Sequence, residues 1–194
     1  MRIVFMGTPA FAVPSLRILI DNGYHVAAVV TAPDKPRGRG QQVSSTPVKE
    51  TALSASLPIL QPNDLRDPAF VATLFELVPD LIVVVAYRIL PQEVFSIPRR
   101  GAFNLHASLL PKYRGAAPIN WAIIKGEKET GVTSFMLEEK VDTGSVILQA
   151  RVAIGPDETA GELHDKLSEV GAEIVLQTVR LIEAGLAKPA PQND

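Results

Sequence analysis

Residues 81–85 read Leu81-Ile82-Val83-Val84-Val85, and this run decides the fold. Strands that face water on one side alternate polar and apolar residues; this one does not alternate at all. A short, uninterrupted apolar run bounded by Pro79-Asp80 predicts a central strand of a parallel sheet, covered by helices on both faces. Working outward, Ile3–Met6 is a second such run, closed by Gly7-Thr8-Pro9, and His25–Val30 a third. Between those two, Pro14 opens a helical pattern through Leu16, Leu19 and Ile20 that Asn22-Gly23 stops. Thr46 and Pro47 supply the N-cap and first position of another helix, Leu57–Leu60 a short strand, and Asp67-Pro68 a further helix carrying Phe70, Val71, Leu74 and Leu77. The alternation of strand and helix predicts an α/β domain with a doubly wound, mostly parallel sheet. Farther on, Ala116–Lys125 reads as a helix and Glu127–Thr130 as a polar turn. Val132–Leu137 and Ser145–Val152 read as two strands that extend the sheet in antiparallel fashion. Thr159-Ala160-Gly161-Glu162 is a capping box. It starts a long helix whose apolar stripe is Leu163, Leu167, Val170, Ile174, Val179 and Ile182, ended by Gly185.

Composition narrows the possible functions. With 46% hydrophobic and 21% charged residues in 194, the chain can bury a sizeable core. A formal net charge of −2 means that any nucleic-acid contact must come from a local patch. The absence of cysteine excludes disulfides and thiolate-bound metals, and it suits a reducing, cytoplasmic setting. No apolar run reaches membrane-spanning length. Met1-Arg2-Ile3-Val4-Phe5 enters a strand at once and leaves no room for a signal peptide.

The opening strand–helix–strand invites a nucleotide reading, but a dinucleotide site needs Gly-x-Gly-x-x-Gly so that backbone can approach the pyrophosphate. Gly7 is followed by Thr8-Pro9-Ala10-Phe11-Ala12, which speaks against NAD or FAD. Thr31–Thr46 is a long connection without hydrophobic period, bearing Lys35, Arg37 and Arg39 against the single acid Asp34. It is either a solvated loop or an arm that touches phosphates, where arginine forks and glycine freedom both help.

The chemistry concentrates at Phe103-Asn104-Leu105-His106-Ala107-Ser108-Leu109-Leu110-Pro111-Lys112-Tyr113-Arg114-Gly115. Side chains in a strand repeat every two residues, so Asn104 and His106 share a face. The chain then leaves the strand through Ser108 and Pro111, at the C-terminal strand end where α/β sheets place ligands. Downstream, Val141-Asp142-Thr143-Gly144 is a tight turn holding a carboxylate, either as turn chemistry or as a functional group. His164, on the last helix with no partner motif, reads as structural or exposed.

The run Asn-x-His followed by Ser-Leu-Leu-Pro-x-x-Arg-Gly resembles the signature of the 10-formyltetrahydrofolate-dependent formyltransferases, whose domain is Rossmann-like. The Pro-Asp-x-Pro-x-Gly-Arg-Gly stretch after the second strand resembles the members that act on methionyl-tRNA; relatives acting on a ribonucleotide or a sugar lack it in this form. The resemblance implies formyl transfer from 10-formyltetrahydrofolate to methionyl-initiator-tRNA for translation initiation. Asn104, His106 and Asp142 would be catalytic. Tyr87, Arg88, Ile89, Leu90, Ser108, Leu109, Leu110, Pro111, Val141 and Thr143 would line the folate. Lys35, Arg37, Arg39 and Arg114 would meet tRNA. In the Ala86–Pro91 loop, Arg88 directly follows Tyr87, where those members carry a glycine and one residue more. The charge chemistry agrees: an amide and an imidazole can hydrogen-bond the oxygen that becomes negative during transfer, and a carboxylate can take the amine's proton. No metal is expected, because one His and one Asp are too few ligands for Zn²⁺ or Mg²⁺. A monomer is expected. The catalytic domain would cover 1–187, and 188–194 would begin a linker to a C-terminal domain that lies outside this chain. Two rivals stay open: a formyltransferase for another amine, such as an amino sugar or glycinamide ribonucleotide, and a non-catalytic folate- or RNA-binding module.

Overall fold

Continuous apolar runs become buried parallel strands in the first half of the chain. The computed structural model describes residues 1–37 and 42–193. They divide into two units, Met1–Gly101 and Ala102–Asp194.

In the first unit β1 (Arg2–Gly7), a single 3₁₀ turn (Ala10–Ala12), α1 (Val13–Asp21) and β2 (His25–Val30) come first. A short ribbon of β3 (Lys35–Arg37) and β4 (Gln42–Ser44) follows, then α2 (Pro47–Ser54), β5 (Ile59–Leu60), α3 (Pro68–Glu76), β6 (Leu81–Val85) and α4 (Gln92–Phe95). The strand order β5-β2-β1-β6 is parallel throughout. The chain therefore winds outward from β1 through β2 to β5 and returns on the other side of β1 with β6. The reversal leaves a switch point between β1 and β6, where Gly7 lies opposite Val85. Ile3, Val4, Phe5, Met6, Leu81, Ile82, Val83 and Val85 are fully buried, which is why neither run alternates. Gly7 is needed for packing: a Cβ there would stand 2.8 Å from the Ala12 Cβ and 2.9 Å from the Val85 carbonyl oxygen. Thr46 caps α2 through its hydroxyl and Asp67 caps α3 through its carboxylate, each followed by proline.

The second unit is an antiparallel sheet with one long helix. It holds β7 (Ala102–His106), α5 (Pro118–Ile124), β8 (Glu129–Met136), β9 (Val146–Ala153) and α6 (Ala160–Glu183). β7 pairs with β8 and β8 with β9, both antiparallel. α6 is capped by the Thr159–Glu162 box and buries Leu163, Leu167, Ile174, Val179 and Ile182. One polar contact fixes it to the sheet: the buried hydroxyls of Ser134 on β8 and Thr178 on α6 are 2.7 Å apart.

Besides the 3₁₀ turn and the one-turn α4, both too short to set up a hydrophobic period, three elements differ from the sequence expectation. β8 begins at Glu129 instead of after a turn: Thr130 and Gly131 are buried strand residues, but a hydroxyl side chain and a glycine do not read as an apolar run. Glu129 meets Arg151 at 2.5 Å, a cross-strand charge pair that a polar run conceals. α5 begins at Pro118 rather than Ala116, since Ala117 sits in the left-handed region at φ 55° and cannot continue a helix. The 31–46 connection contains the β3–β4 ribbon, whose backbone pairing demands no hydrophobic period.

Candidate active site

The second unit brings His106, Asp142 and Arg114 together. His106, at the end of β7, is 7% exposed. Its Nε2 lies 2.8 Å from the Tyr113 carbonyl oxygen. A carbonyl only accepts, so Nε2 carries the proton and donates it there. That leaves Nδ1 as the ring nitrogen available for chemistry. It faces the Asp142 carboxylate, with Oδ2 3.7 Å away and both side chains largely buried. Asp142 Oδ2 also accepts the Gly115 N–H at 2.8 Å. The loop that follows β7 thus holds both partners, the imidazole through Tyr113 and the carboxylate through Gly115.

Asp142 itself has φ 54°, in the left-handed region that Asp tolerates better than most residues. Gly144, two residues on, is packed so tightly that a Cβ would stand 1.7 Å from the Met136 carbonyl oxygen. Arg114, expected as a tRNA contact, points into this turn: its Nε donates to the Asp142 carbonyl at 3.2 Å and to Gln192 Oε1 at 3.1 Å. Thr143 donates to the Lys140 carbonyl, and Val141 is 47% exposed.

Asn104 lies two residues before His106 on the same strand face and is half-buried. Among the described residues its carboxamide has no hydrogen-bond partner, so it can donate to a ligand oxygen without giving up a bond. The Ser108–Pro111 segment is fixed from beneath. Thr133 donates to the Ser108 carbonyl at 2.7 Å and accepts from the Leu110 N–H at 3.1 Å, while Gln149 donates to the Leu110 carbonyl at 2.9 Å. Ser108 Oγ donates to the Lys112 carbonyl, and the Leu110–Pro111 bond is cis. Tyr113 donates its hydroxyl to Glu127 at 2.7 Å. This bond, with help from Lys112, holds the Glu127 carboxyl below its usual range.

The Tyr87–Leu90 loop lies in the first unit, at the C-terminal end of β6. Arg88 donates to the Asn63 and Pro62 carbonyls at 2.9 and 2.7 Å and to the Tyr87 hydroxyl at 2.9 Å. Its guanidinium lies 5.2 Å from the Tyr87 ring centroid. Arg88 therefore pins this loop to residues 62–63, and burial pushes the Tyr87 hydroxyl up. Ile89 is 72% exposed and Leu90 is buried. Lys35 is exposed at the start of the ribbon; Arg39 and the Arg37 side chain lie outside the described residues. The root of the ribbon is tied by Asp34, which takes an ion pair from Lys49 and a 2.9 Å hydrogen bond from Gln61. Those partners hold the Asp34 carboxyl below its ordinary value, Lys49 most of all. His164 is bonded to its neighbour Asp165 at 2.9 Å. No helix among the described residues is long and apolar enough to cross a membrane.

The chain thus carries a doubly wound α/β unit and a buried His–Asp pair, with Asn104, an amide without a hydrogen-bond partner among the described residues, two positions before the His. Residues 1–179 match the family described as Formyl transferase, and the chain belongs to that family. It is 55% identical over 193 residues to the methionyl-tRNA formyltransferase of Acetivibrio thermocellus, covering 99% of this chain and 62% of that protein. It is 54% identical to the methionyl-tRNA formyltransferase of Bacteroides thetaiotaomicron, covering all of this chain and 60% of that one. The chain thus spans about three-fifths of the length of these relatives. Among solved structures, glycinamide ribonucleotide transformylase 1 from Symbiobacterium toebii has the same fold, with a TM-score of 0.79 at 24% identity over 95% of this chain and 88% of that chain. So does the N-formyltransferase from Helicobacter canadensis, solved with folinic acid and dTDP-3-aminofucose, with a TM-score of 0.77 at 23% identity over 99% of this chain and 67% of that chain.

Proposed function

We propose that this chain is the catalytic part of a cytoplasmic enzyme of translation initiation. It transfers a formyl group from 10-formyltetrahydrofolate to the α-amino group of methionyl-initiator-tRNA. The observation that carries the reaction class is the His106–Asp142 pair, with Asn104 two residues before His106 on β7 and its carboxamide without a hydrogen-bond partner among the described residues. Attack of an amine on a formyl carbon places negative charge on the formyl oxygen. Asn104 donates to that oxygen with an N–H that nothing else in the described residues claims. His106 can donate from Nδ1 only when that nitrogen is protonated, because Nε2–H is committed to Tyr113. The Asp142 carboxylate, 3.7 Å away, is the counter-charge for that state and the acceptor, directly or through a water, for the proton the amine must lose. The bond from the formyl carbon to the folate nitrogen then breaks, and that nitrogen takes up the proton and leaves as tetrahydrofolate.

The donor is taken to be a formyl-folate because the domain belongs to this family and a neighbour of the same fold was solved with folinic acid. Tyr87 to Leu90, Ser108 to Pro111, Val141 and Thr143 are the residues proposed to contact it. The acceptor is taken to be tRNA on two grounds. Identity is 55% to a methionyl-tRNA formyltransferase against 24% to a glycinamide ribonucleotide transformylase. The stretch after β2 also carries Lys35, Arg37 and Arg39 against the single acid Asp34, the pattern of a phosphate-contacting arm.

Labelled formyl transfer with the full-length protein tests this directly. Charged initiator tRNA, glycinamide ribonucleotide and an amino-sugar nucleotide are offered in parallel. Label is expected on the methionyl group of tRNA at least on the order of 10³ times faster than on either small amine, the margin expected when a site is built around one partner's polar groups. Preferential labelling of a small amine would replace the tRNA assignment, and no transfer to any amine would leave a binding module.

A further inference from the structure

We infer that Gln192 is a positioning residue for the Asp142 carboxylate, so that residues 188–193 act as a strap on the active centre; this rests on the formyl-transfer reading above. Ala190 forms an isolated antiparallel bridge with Val146, with N–H···O distances of 2.8 and 2.9 Å in the two directions. The bridge fixes the chain two residues before Gln192 and delivers its carboxamide to the 141–144 turn. There Nε2 donates to the Asp142 carbonyl and the Gly144 carbonyl, both at 2.9 Å. Oε1 accepts from Arg114 Nε at 3.1 Å and from Arg114 Nη2 at 2.8 Å. Both N–H donors and both lone pairs of the carboxamide are thereby used.

This one side chain joins the two supports of the site. Arg114 belongs to the loop in which Tyr113 holds His106 and Gly115 holds the Asp142 carboxylate. The carbonyls of 142 and 144 belong to the turn that holds Asp142 in the left-handed region at φ 54°. Gln192 therefore fixes the loop and the turn relative to each other, and with them the separation of His106 from Asp142. Glutamate has the same shape but no donors for the two carbonyls. Alanine reaches neither side. Gln192 touches none of the reacting groups, so its influence passes through Asp142.

The test uses the full-length protein and the variants Gln192→Ala and Gln192→Glu, with Thr159→Ala as a control for loss of stability alone. Turnover in Gln192→Ala should fall on the order of ten- to a hundredfold, the loss expected from a small misplacement of a reacting group. The Michaelis constant for the acceptor should stay within about twofold and that for folate should rise by no more than a few-fold, through Val141 and Thr143 on the same turn, so that the loss falls mainly on turnover. Gln192→Glu should resemble Ala in turnover, since only the bond to Arg114 survives. The pH–rate profile should change in both Gln192 variants and not in Thr159→Ala. Amide exchange at Gly115 reads the same device without any substrate: its protection should fall on the order of tenfold in Gln192→Glu. Unchanged turnover in a folded Gln192 variant, or unchanged exchange at Gly115, overturns the inference. If the wild type itself formylates no amine, the reading of the reaction fails instead, and the exchange measurement still decides whether Gln192 holds the turn. Should Gln192→Ala not fold, the isosteric Glu variant carries both measurements.

Discussion

The 141–144 turn and the β3–β4 ribbon are two polar stretches whose described residues are held in different ways. The turn is tied throughout. Its carboxylate takes the Gly115 N–H, its carbonyls take Gln192 and Arg114, and its glycine presses on Met136. The ribbon is anchored at its root, by Asp34 with Lys49 and Gln61 and by the Thr31–Thr46 hydroxyl pair. Groups that act on reacting atoms must be placed in advance, to within fractions of an ångström. Groups that meet a phosphate backbone need only charge and reach. On the proposed reading, chemistry sits at the turn and partner binding at the ribbon, and substitutions on each side can break or sharpen that division.

The largest effect should follow loss of a charge-stabilising donor. Asn104→Ala and His106→Ala should each lower turnover by roughly 10²–10³ with folate affinity little changed. Melting curves must accompany the His106 variant, since it also leaves the Tyr113 carbonyl without its partner. Near-normal turnover in either would remove the oxyanion role. On the ribbon side, Arg39→Ala, and Lys35→Ala to a lesser degree, should raise the Michaelis constant for tRNA and leave folate binding alone. The salt dependence of activity should become shallower, because each lost phosphate contact releases about one counterion fewer. Parallel salt slopes with equal tRNA constants would make the ribbon a solvated loop and reopen the small-amine alternative.

Smaller effects check the frame. Thr159→Ala removes the N-cap of α6 and should destabilise by about 1 kcal/mol in denaturant unfolding while turnover stays normal. A loss of turnover there would mean that α6, and not the loop system alone, sets the site. Tyr113→Phe deletes the hydroxyl on Glu127 but keeps the carbonyl that holds His106. Because that hydroxyl is the main reason the Glu127 carboxyl is depressed, its titration by carbon NMR should move up toward the usual range. No movement would show that the bond is not formed in solution.

Much of this was legible in the sequence where one physical signal dominates. Apolar runs without alternation gave β1, β2 and β6, and Thr159 with Glu162 marked the start of α6. The two-residue period put Asn104 and His106 on one face. What was not legible works through the backbone or across long separations. Tyr113 holds His106 with a carbonyl and Gly115 holds Asp142 with an N–H, groups that every residue carries. Gln192 sits 50 residues from Asp142 in a Pro-rich segment that reads as a linker, and only the Ala190–Val146 bridge brings it back. The bonds from Arg88 to the Pro62 and Asn63 carbonyls, which anchor the 87–90 loop, were likewise invisible in the sequence. Long-range partners of that kind leave no periodicity and no motif.

The most direct test of the central claim is a double-mutant cycle on His106 and Asp142. Asp142→Asn keeps the shape and an oxygen for the Gly115 N–H but cannot serve as counter-charge or proton acceptor. Formyl transfer to charged initiator tRNA is measured for wild type, His106→Ala, Asp142→Asn and the double variant. If the pair acts as a unit, each single change should cost roughly 10²–10³ in turnover, and the double variant should be little worse than either. Independent, multiplicative losses would contradict the account and return Asp142 to the role of an ordinary turn residue.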